Sequence, residues 1–286
     1  MFGIHMTNDM FGKFGVWLMY PAITGPLVRE LEELGYGTIW VGGSPAGDWQ
    51  GYEELLAASE SIVVAPSIVN VWASPAKAAA ETYHRLAERF PGRYRLGIGA
   101  GHREHTDVYR KPYDALVEYL DELDAAGVPK EGRLLAALGP RVAALAAERT
   151  GGLLPYFVPT AHTAATRAAI GSDPLLAPEH KFVLGADPQA ARAIARDTVT
   201  LYLGLTNYVQ NLRRFPYTEQ DLTAPGTDRI TDDVVAHGTP EQVADKLIEH
   251  LRAGADHVAV QPLGSDPISA LRTLAPVLAE RAAALG

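Results

Sequence analysis

The chain has 286 residues, of which 47% are hydrophobic and 21% charged, with no cysteine and a formal net charge of −9 at pH 7. This balance is typical of a globular protein with a sizeable core, and the acidic charge argues against a general nucleic-acid binder. The lack of cysteine excludes disulfides and thiolate chemistry, and no apolar run approaches the ~20 residues of a membrane span. We expect one cytoplasmic domain, residues 1–286, with an irregular segment at 1–12 whose first five residues are either native or a vector remnant.

Strand-like and helix-like periods alternate along the remaining chain. The strand-like segments are, in order, 14–19, 38–43, 62–72, 94–101, 133–139, 153–159, 180–184 and 257–264. Helical patterns separate them, and capping signals such as Asp187–Pro188 and Thr239 open two of these helices.

Eight strands that alternate with helices predict a parallel sheet, most economically closed into a (β/α)8 TIM barrel. A doubly wound open sheet is the alternative. The segment of about 207–237, between strands seven and eight, is too long for a plain loop, and we predict a lid-like inserted excursion there. In such barrels the active site lies at the carboxyl ends of the strands.

The stretch LGIGAGHREH ends strand four and opens onto polar residues. Gly97, Gly99 and Gly101 either fill a crowded barrel interior or let a flat ligand lie against the backbone. On the second interpretation, Gly99 and Gly101 are candidate cofactor contacts. The spacing G-x-G-x-G is not the dinucleotide fingerprint, and neither a Walker loop nor a G-x-S-x-G elbow is present. His102 and His105 suit a metal, but the other strand ends supply no further ligands, so we expect no metal site.

An ordered series of motifs runs through nearly the whole chain. It includes ELEELGYGTIWVGG, SIVNVWASPAKAAAETYHRL, LGIGAGH, LLAALGPRVAALA and YFVPTAHTAATRAAIG. The series resembles the bacterial luciferase-like superfamily and, within it, the actinobacterial F420-dependent oxidoreductases. The resemblance implies a TIM barrel, a homodimer, bound F420, and reversible hydride transfer between C5 of the deazaflavin and a small organic substrate.

The same resemblance places the cofactor ring at the ends of strands two to four. Ser67–Ile68 match a bulge behind the ring that often contains a non-prolyl cis peptide. Gly42 and Gly43 match the position beside the ring, where many relatives carry Asp or His. His102 matches an acid/base residue near the reacting carbon, and an imidazole with an ordinary pKa of about 6.5 suits proton transfer. The alternative is that it only hydrogen-bonds the ring carbonyl or caps the next helix.

The cofactor phosphate and tail are expected at the helix starts after strands five and six, because free N–H groups there attract anions. The candidates are Gly139, Pro140, Arg141, Thr160, His162 and Thr163. For Arg141 a solvated first-turn position is the alternative, and for His162 and Thr163 plain helix capping.

Four residues are candidates for the substrate pocket: Trp17, Trp49, Asn70 and Tyr208. Core packing is the alternative for Trp17. Tyr208 lies in the excursion, which forms either a lid over the pocket or a surface or dimer contact.

Two other functions remain open at this stage. One is an FMN-dependent luciferase-like monooxygenase that uses reduced flavin and dioxygen. The other is a protein that binds the cofactor but catalyses no reaction. The absence of Asp or His at the end of strand two leaves this alternative open.

Overall fold

The computed structural model describes residues 8–102, 111–185 and 187–285, in which parallel strands alternate with helices. The strands are β1 (Phe14–Met19), β2 (Thr38–Gly42), β3 (Val63–Pro66), β4 (Val69–Asn70), β5 (Leu96–Gly99), β6 (Arg133–Leu135), β7 (Gly152–Leu153), β8 (Leu175–Leu176), β9 (Glu179–Leu184), β10 (Val235–Gly238) and β11 (Val258–Pro262). The helices are α1 (Gly25–Glu33), α2 (Gly51–Ala57), α3 (Ala76–Arg89), α4 (Pro112–Ala125), α5 (Pro140–Arg149), α6 (Thr160–Ile170), α7 (Pro188–Leu203), α8 (Thr206–Leu212), α9 (Glu219–Leu222), α10 (Asp228–Val234), α11 (Pro240–Arg252) and α12 (Pro267–Ala283).

The strand pairings run round in a ring. One parallel sheet has the order β10-β9-β11-β1-β2-β3, and the other has the order β4-β5-β6-β7-β8. Two residues, 67–68, join β3 to β4, and two more, 177–178, join β8 to β9. The backbone N–H of Ala259 donates to Pro178 O at this second junction. Because β11 also pairs with β1, the order returns to the first strand, and the predicted α/β architecture of the (β/α)8 type is confirmed.

Three strand predictions are corrected by the structure. The long third strand breaks at residues 67–68 into β3 and β4. The strand predicted at 153–159 pairs only through β7, because two prolines in LLPYFVP lack the N–H group that a ladder needs and Phe157 has a φ of +55°. The strand predicted at 133–139 is shorter, because β6 ends at Leu135 and α5 begins at Pro140.

The excursion of residues 207–237 is largely helical. It holds most of α8, then α9 and α10, and leads into β10, which pairs with β9 beside the ring. Its apolar side chains, Leu212, Leu222 and Ile230 among them, pack against Val199 of α7 in a hydrophobic cluster of their own. The excursion is therefore anchored on α7 at the edge of the barrel.

The helix boundaries follow from the predicted caps. The Asp187 carboxylate accepts the N–H of Gln189 at the start of α7, and Thr239 forms a capping box with Gln242 at the start of α11. None of the helices in the described ranges is long and apolar enough to cross a membrane.

Candidate active site

A cavity of about 870 Å³ opens at the carboxyl ends of the strands. Its wall comes from residues in or just after β1 to β7, together with α4, α5, α7 and α8. The predicted site residues that line it are Trp17, Gly43, Ser67, Ile68, Asn70, Gly101, His102, Gly139 and Tyr208. Its volume lies in the range that small-molecule and cofactor sites occupy.

The break in strand three forms one side of the cavity. The Ser67–Ile68 peptide bond is cis, as the family resemblance predicts. The Trp17 indole N–H donates to Ser67 Oγ at 3.2 Å, which fixes the serine against β1. Trp17 is itself largely buried, so it supports the break as well as lining the cavity.

The glycines of this region serve different purposes. A Cβ on Gly97 would lie 2.0 Å from Pro66 O, so close packing between strands requires this glycine. A Cβ on Gly99 would lie 3.0 Å from Cγ1 of Ile68, and one on Gly42 would overlap the Trp17 ring. Gly42 and Gly99 thus make room for cavity-lining side chains, and neither belongs to the described lining.

His102 faces the excursion across the cavity. It follows Gly101, whose φ of +60° is accessible chiefly to glycine and whose missing Cβ leaves room for the Asn70 amide. The His102 and Tyr208 rings lie 5.5 Å apart between centroids. Residues from the end of strand four and from α8 therefore meet at one place, although 106 positions separate them along the chain.

A row of tyrosines, Tyr156, Tyr202 and Tyr208, forms what we call the tyrosine wall. The centroid of the Tyr202 ring lies 5.2 Å from that of Tyr156 and 5.0 Å from that of Tyr208. The Tyr202 hydroxyl donates to the Tyr156 hydroxyl at 3.0 Å, and the latter donates to Gln261 Oε1 at 2.7 Å. Sequence reasoning found only Tyr208; Tyr202 lies in a helix and Tyr156 in a predicted strand, where each fits the core pattern.

Behind the tyrosine wall lies a buried ion pair that the sequence did not reveal. Lys181 Nζ contacts the Glu179 carboxylate at 2.9 and 3.0 Å and sits 3.8 Å from the centroid of the Tyr156 ring. Glu179 also accepts the N–H of Phe157 at 3.1 Å. Burial raises the pKa of Glu179 and lowers that of Lys181, while each charge opposes the shift of the other. The Lys181 ammonium group therefore supports the tyrosine wall through a cation–π contact with the Tyr156 ring.

The cavity wall differs in charge from the molecule as a whole. No carboxylate belongs to the described lining, although the chain carries a net charge of −9. The described lining has one arginine, Arg214, beside the amides of Asn70, Asn207, Gln210 and Asn211. Such a wall favours a neutral or anionic ligand over a cationic one.

Comparison with known proteins shows that part of the chain is similar to one family. Residues 19–128 match the family model described as luciferase-like monooxygenase. No curated protein sequence matches the chain significantly.

Solved structures of luciferase-like enzymes share the fold over nearly the whole chain. An F420-dependent secondary alcohol dehydrogenase in complex with an F420-acetone adduct is 13% identical, with 93% of this chain and 97% of the other covered and a TM-score of 0.73. The coenzyme F420-dependent tetrahydromethanopterin reductase from Methanopyrus kandleri is 16% identical, with 94% and 99% covered and a TM-score of 0.74. The oxygenating constituent of 3,6-diketocamphane monooxygenase from Pseudomonas putida, in complex with FMN, is 15% identical, with 94% and 98% covered and a TM-score of 0.62.

Of the three predicted residues at the start of α5, one lines the cavity and two do not. Gly139 lines the cavity, but Pro140 and Arg141 are exposed outside it. The Arg141 guanidinium lies over the Tyr113 ring at 3.7 Å from the centroid, which draws it towards α4.

The start of α6 is turned into the protein rather than towards the cavity. His162 Nε2 donates to Leu138 O at 2.8 Å, and Thr163 Oγ1 hydrogen-bonds His250 Nδ1 at 2.8 Å, with both side chains buried. The prediction of open phosphate donors is therefore corrected for His162 and Thr163. Thr160 does not line the cavity either; its buried hydroxyl has no hydrogen-bond partner among the described residues.

Trp49 is also corrected. Its ring lies 5.5 Å from that of Tyr20 and 5.1 Å from that of Tyr52, and a Cβ on Gly51 would overlap it. It packs in the loop before α2 instead of lining the pocket. The polar residues Arg103, Glu104 and His105, which follow His102, lie outside the described residues.

Buried histidines give the domain a pH-dependent stability. Burial lowers the pKa of His162 to about 4, that of His250 to about 3 and that of His257 to about 4. Unfolded histidines bind a proton near pH 6.5, so unfolding takes up protons below that pH and stability is lost as the pH falls towards 4. Each histidine contributes up to about 1.4 kcal/mol per pH unit to this slope.

We expect the free energy of unfolding, measured with urea, to fall steadily from pH 7 to pH 5. His257→Gln should lower the slope by close to one proton. A flat profile for the wild-type protein between pH 7 and 5 would contradict the assignment.

Proposed function

We propose that the chain is an F420-dependent oxidoreductase that transfers a hydride between the deazaflavin C5 and a small organic substrate. The observation that carries the proposal is the cavity in which the cis Ser67–Ile68 break, Gly101 and His102 meet at the strand ends. The TM-scores of 0.73 and 0.74 with the two F420-dependent enzymes, against 0.62 with the FMN-bound monooxygenase, favour F420 over FMN.

The cavity fits a cofactor of this kind on three counts. Its volume of about 870 Å³ accommodates a tricyclic ring and a second small molecule. Ile68, Ala136 and Leu154 give it an apolar surface on the strand side, which suits the face of a flat ring. The described wall contains no carboxylate that would repel a phosphate-bearing tail.

In this reaction the cofactor would supply a ring carbon that accepts or donates a hydride. Ile68, held by the Ser67–Trp17 contact, would support one face of the ring. His102 Nε2 or Nδ1 would give a proton to, or take one from, the substrate oxygen as the hydride moves. The tyrosine wall would exclude water and orient the substrate against the ring.

A second candidate is an FMN-dependent monooxygenase. Two observations favour it: the matched family model describes luciferase-like monooxygenases, and the similar 3,6-diketocamphane enzyme contains FMN. The same cavity residues would then hold the flavin ring, and dioxygen would be the second substrate.

Steady-state assays with each cofactor distinguish the two candidates. We expect anaerobic reduction of F420, followed by its absorbance, with at least one member of a panel of small secondary alcohols, aldehydes and their reduced or oxidised counterparts. Oxygen consumption dependent on reduced FMN, without any F420 turnover in either direction, would overturn the proposal in favour of the monooxygenase.

A further inference from the structure

A chain of hydrogen bonds runs through the tyrosine wall to the strand behind it, and we call it the hydroxyl chain. It consists of Tyr202, Tyr156 and Gln261: the Tyr202 hydroxyl donates to the Tyr156 hydroxyl, and the latter donates to Gln261 Oε1. Both tyrosines line the cavity, whereas Gln261 belongs to β11 and not to the described lining. None of the predictions made from the sequence assigned these three residues a ligand-binding role.

The direction of these hydrogen bonds is set at Gln261. An amide oxygen only accepts, so Tyr156 has to donate to it, and the Tyr156 oxygen is left to accept from Tyr202. Lys181 favours this orientation of the amide, because it is the register partner of Gln261 on β9 and its Nζ lies 3.8 Å from the centroid of the Tyr156 ring. A positive charge there attracts the amide oxygen and repels the NH₂ group.

Tyr202 is therefore left with acceptor capacity alone. Its single hydroxyl hydrogen is engaged by Tyr156, and no group of the described residues donates to its oxygen. Burial raises the pKa of Tyr202 to about 12, so the phenol keeps its proton at neutral pH. The residue is only partly buried and lines the cavity, so a ligand can reach it.

The surroundings of this acceptor are aromatic. The Tyr208 ring lies 5.0 Å from the Tyr202 ring between centroids, and the Trp17 ring lies 5.6 Å from that of Tyr156. In such surroundings a ligand group that cannot pair with the acceptor loses its own hydration without replacement, which is costly. The hydroxyl chain therefore discriminates between ligand groups that donate a hydrogen bond and groups that only accept one.

We propose that Tyr202 Oη accepts a hydrogen bond from a ligand hydroxyl and so selects hydroxyl-bearing molecules over the matching ketones or aldehydes, with Gln261 as the positioning residue. A carbonyl at the same place would bring two acceptors together without a hydrogen between them. The net gain from one such hydrogen bond corresponds to about three- to tenfold in affinity. In the proposed reaction the selected molecule is the alcohol, which gives up the hydride, and only this last assignment rests on the proposed function.

The first arm of the test uses 1-phenylethanol and acetophenone, a matched alcohol and ketone, with the cofactor-free protein. Ligand-observed NMR titrations give both dissociation constants for wild type, Tyr202→Phe and Tyr217→Phe, and urea denaturation checks that each protein is folded. We expect Tyr202→Phe to weaken binding of the alcohol at least about threefold and to leave binding of the ketone unchanged or tighter. Tyr217 donates to Asp233 and does not belong to the described lining, so Tyr217→Phe should match wild type. Equal changes for alcohol and ketone, or no binding of either by wild type, overturn the proposal.

The second arm changes the direction of the hydroxyl chain without touching the cavity lining. Gln261→Glu keeps an acceptor beside Tyr156, so it should preserve the alcohol-to-ketone affinity ratio of wild type. Gln261→Leu removes that acceptor, so the Tyr156 hydrogen can turn to Tyr202 and the Tyr202 hydrogen can turn to the ligand. We expect Gln261→Leu to shift the ratio towards acetophenone by at least about threefold. A Gln261→Leu ratio equal to that of wild type would contradict the proposal.

A third arm separates this inference from the proposed function. With any alcohol that wild type oxidises in the F420 assay, Tyr202→Phe should raise KM at least about threefold and keep kcat within about twofold, since proton transfer is assigned to His102. An unchanged KM would overturn the proposal. Absence of F420 turnover by wild type would count against the proposed function and would leave the binding results of the first two arms standing.

Discussion

His102→Ala is expected to bind cofactor normally and to lose about 10²- to 10⁴-fold in kcat, the range that positioned acid/base groups contribute. The imidazole follows β5, the strand paired with the one that begins after the Ser67–Ile68 break, and it lies beside Tyr208. Because no carboxylate belongs to the described lining, His102 is the strongest acid/base candidate among the described lining residues. The measurement is kcat and KM against pH for both proteins, with cofactor affinity determined separately.

Two controls make this result specific. His84→Ala removes an exposed histidine on α3 and should leave kcat unchanged. Tyr208→Phe keeps the ring beside His102 and removes only a hydroxyl, so it should affect KM more than kcat. A kcat for His102→Ala within about threefold of wild type, with weaker cofactor binding, would assign the residue to ring binding instead of proton transfer.

Lys181→Met is expected to destabilise the protein by about 3–5 kcal/mol, because it leaves the Glu179 carboxylate buried without its counter-charge. The double variant Glu179→Gln/Lys181→Met removes both charges and should recover most of that loss. By contrast, Arg213→Gln breaks an exposed ion pair with Glu219 and should cost less than about 1 kcal/mol.

Urea denaturation of the four proteins at pH 7 measures these differences. Equal destabilisation by the single and double variants would show that the packing of the lysine stem, rather than its charge, supports the tyrosine wall. A single variant as stable as wild type would contradict the buried ion pair altogether.

Much of the fold could be predicted from the sequence because strand-like and helix-like hydrophobic patterns alternate along the chain. Each pattern indicates which side chains are buried. His102 and Asn70 could be found for the same reason: His102 follows β5, Asn70 ends β4, and parallel strands all end at one face of the barrel. The cis peptide at Ser67–Ile68 came only from the family resemblance, since no local pattern encodes it.

The remaining site residues depend on packing that no local pattern shows. Thr163 stands at a helix start that suits an anion, yet α6 is rotated so that this residue faces His250. Glu179 and Lys181 alternate along β9 and so share the interior face, but two charged residues in a strand look like a solvent-exposed face until the partner tyrosines are placed. Arg214 reaches the start of α5 only because the excursion folds back over the barrel.

The most direct test of the central claim is a fluorescence titration of the purified protein with F420 and, in parallel, with FMN. We expect saturable F420 binding at least about tenfold tighter than FMN binding, in a cavity of about 870 Å³ lined by Ile68 and the tyrosine wall. An Ile68→Asp variant, which places a carboxylate where the ring would lie, should weaken F420 binding, whereas Arg213→Gln should not. If the protein binds FMN but not F420, the F420-dependent proposal is contradicted and the FMN-dependent monooxygenase is favoured. If the protein binds neither cofactor, both proposed functions are contradicted.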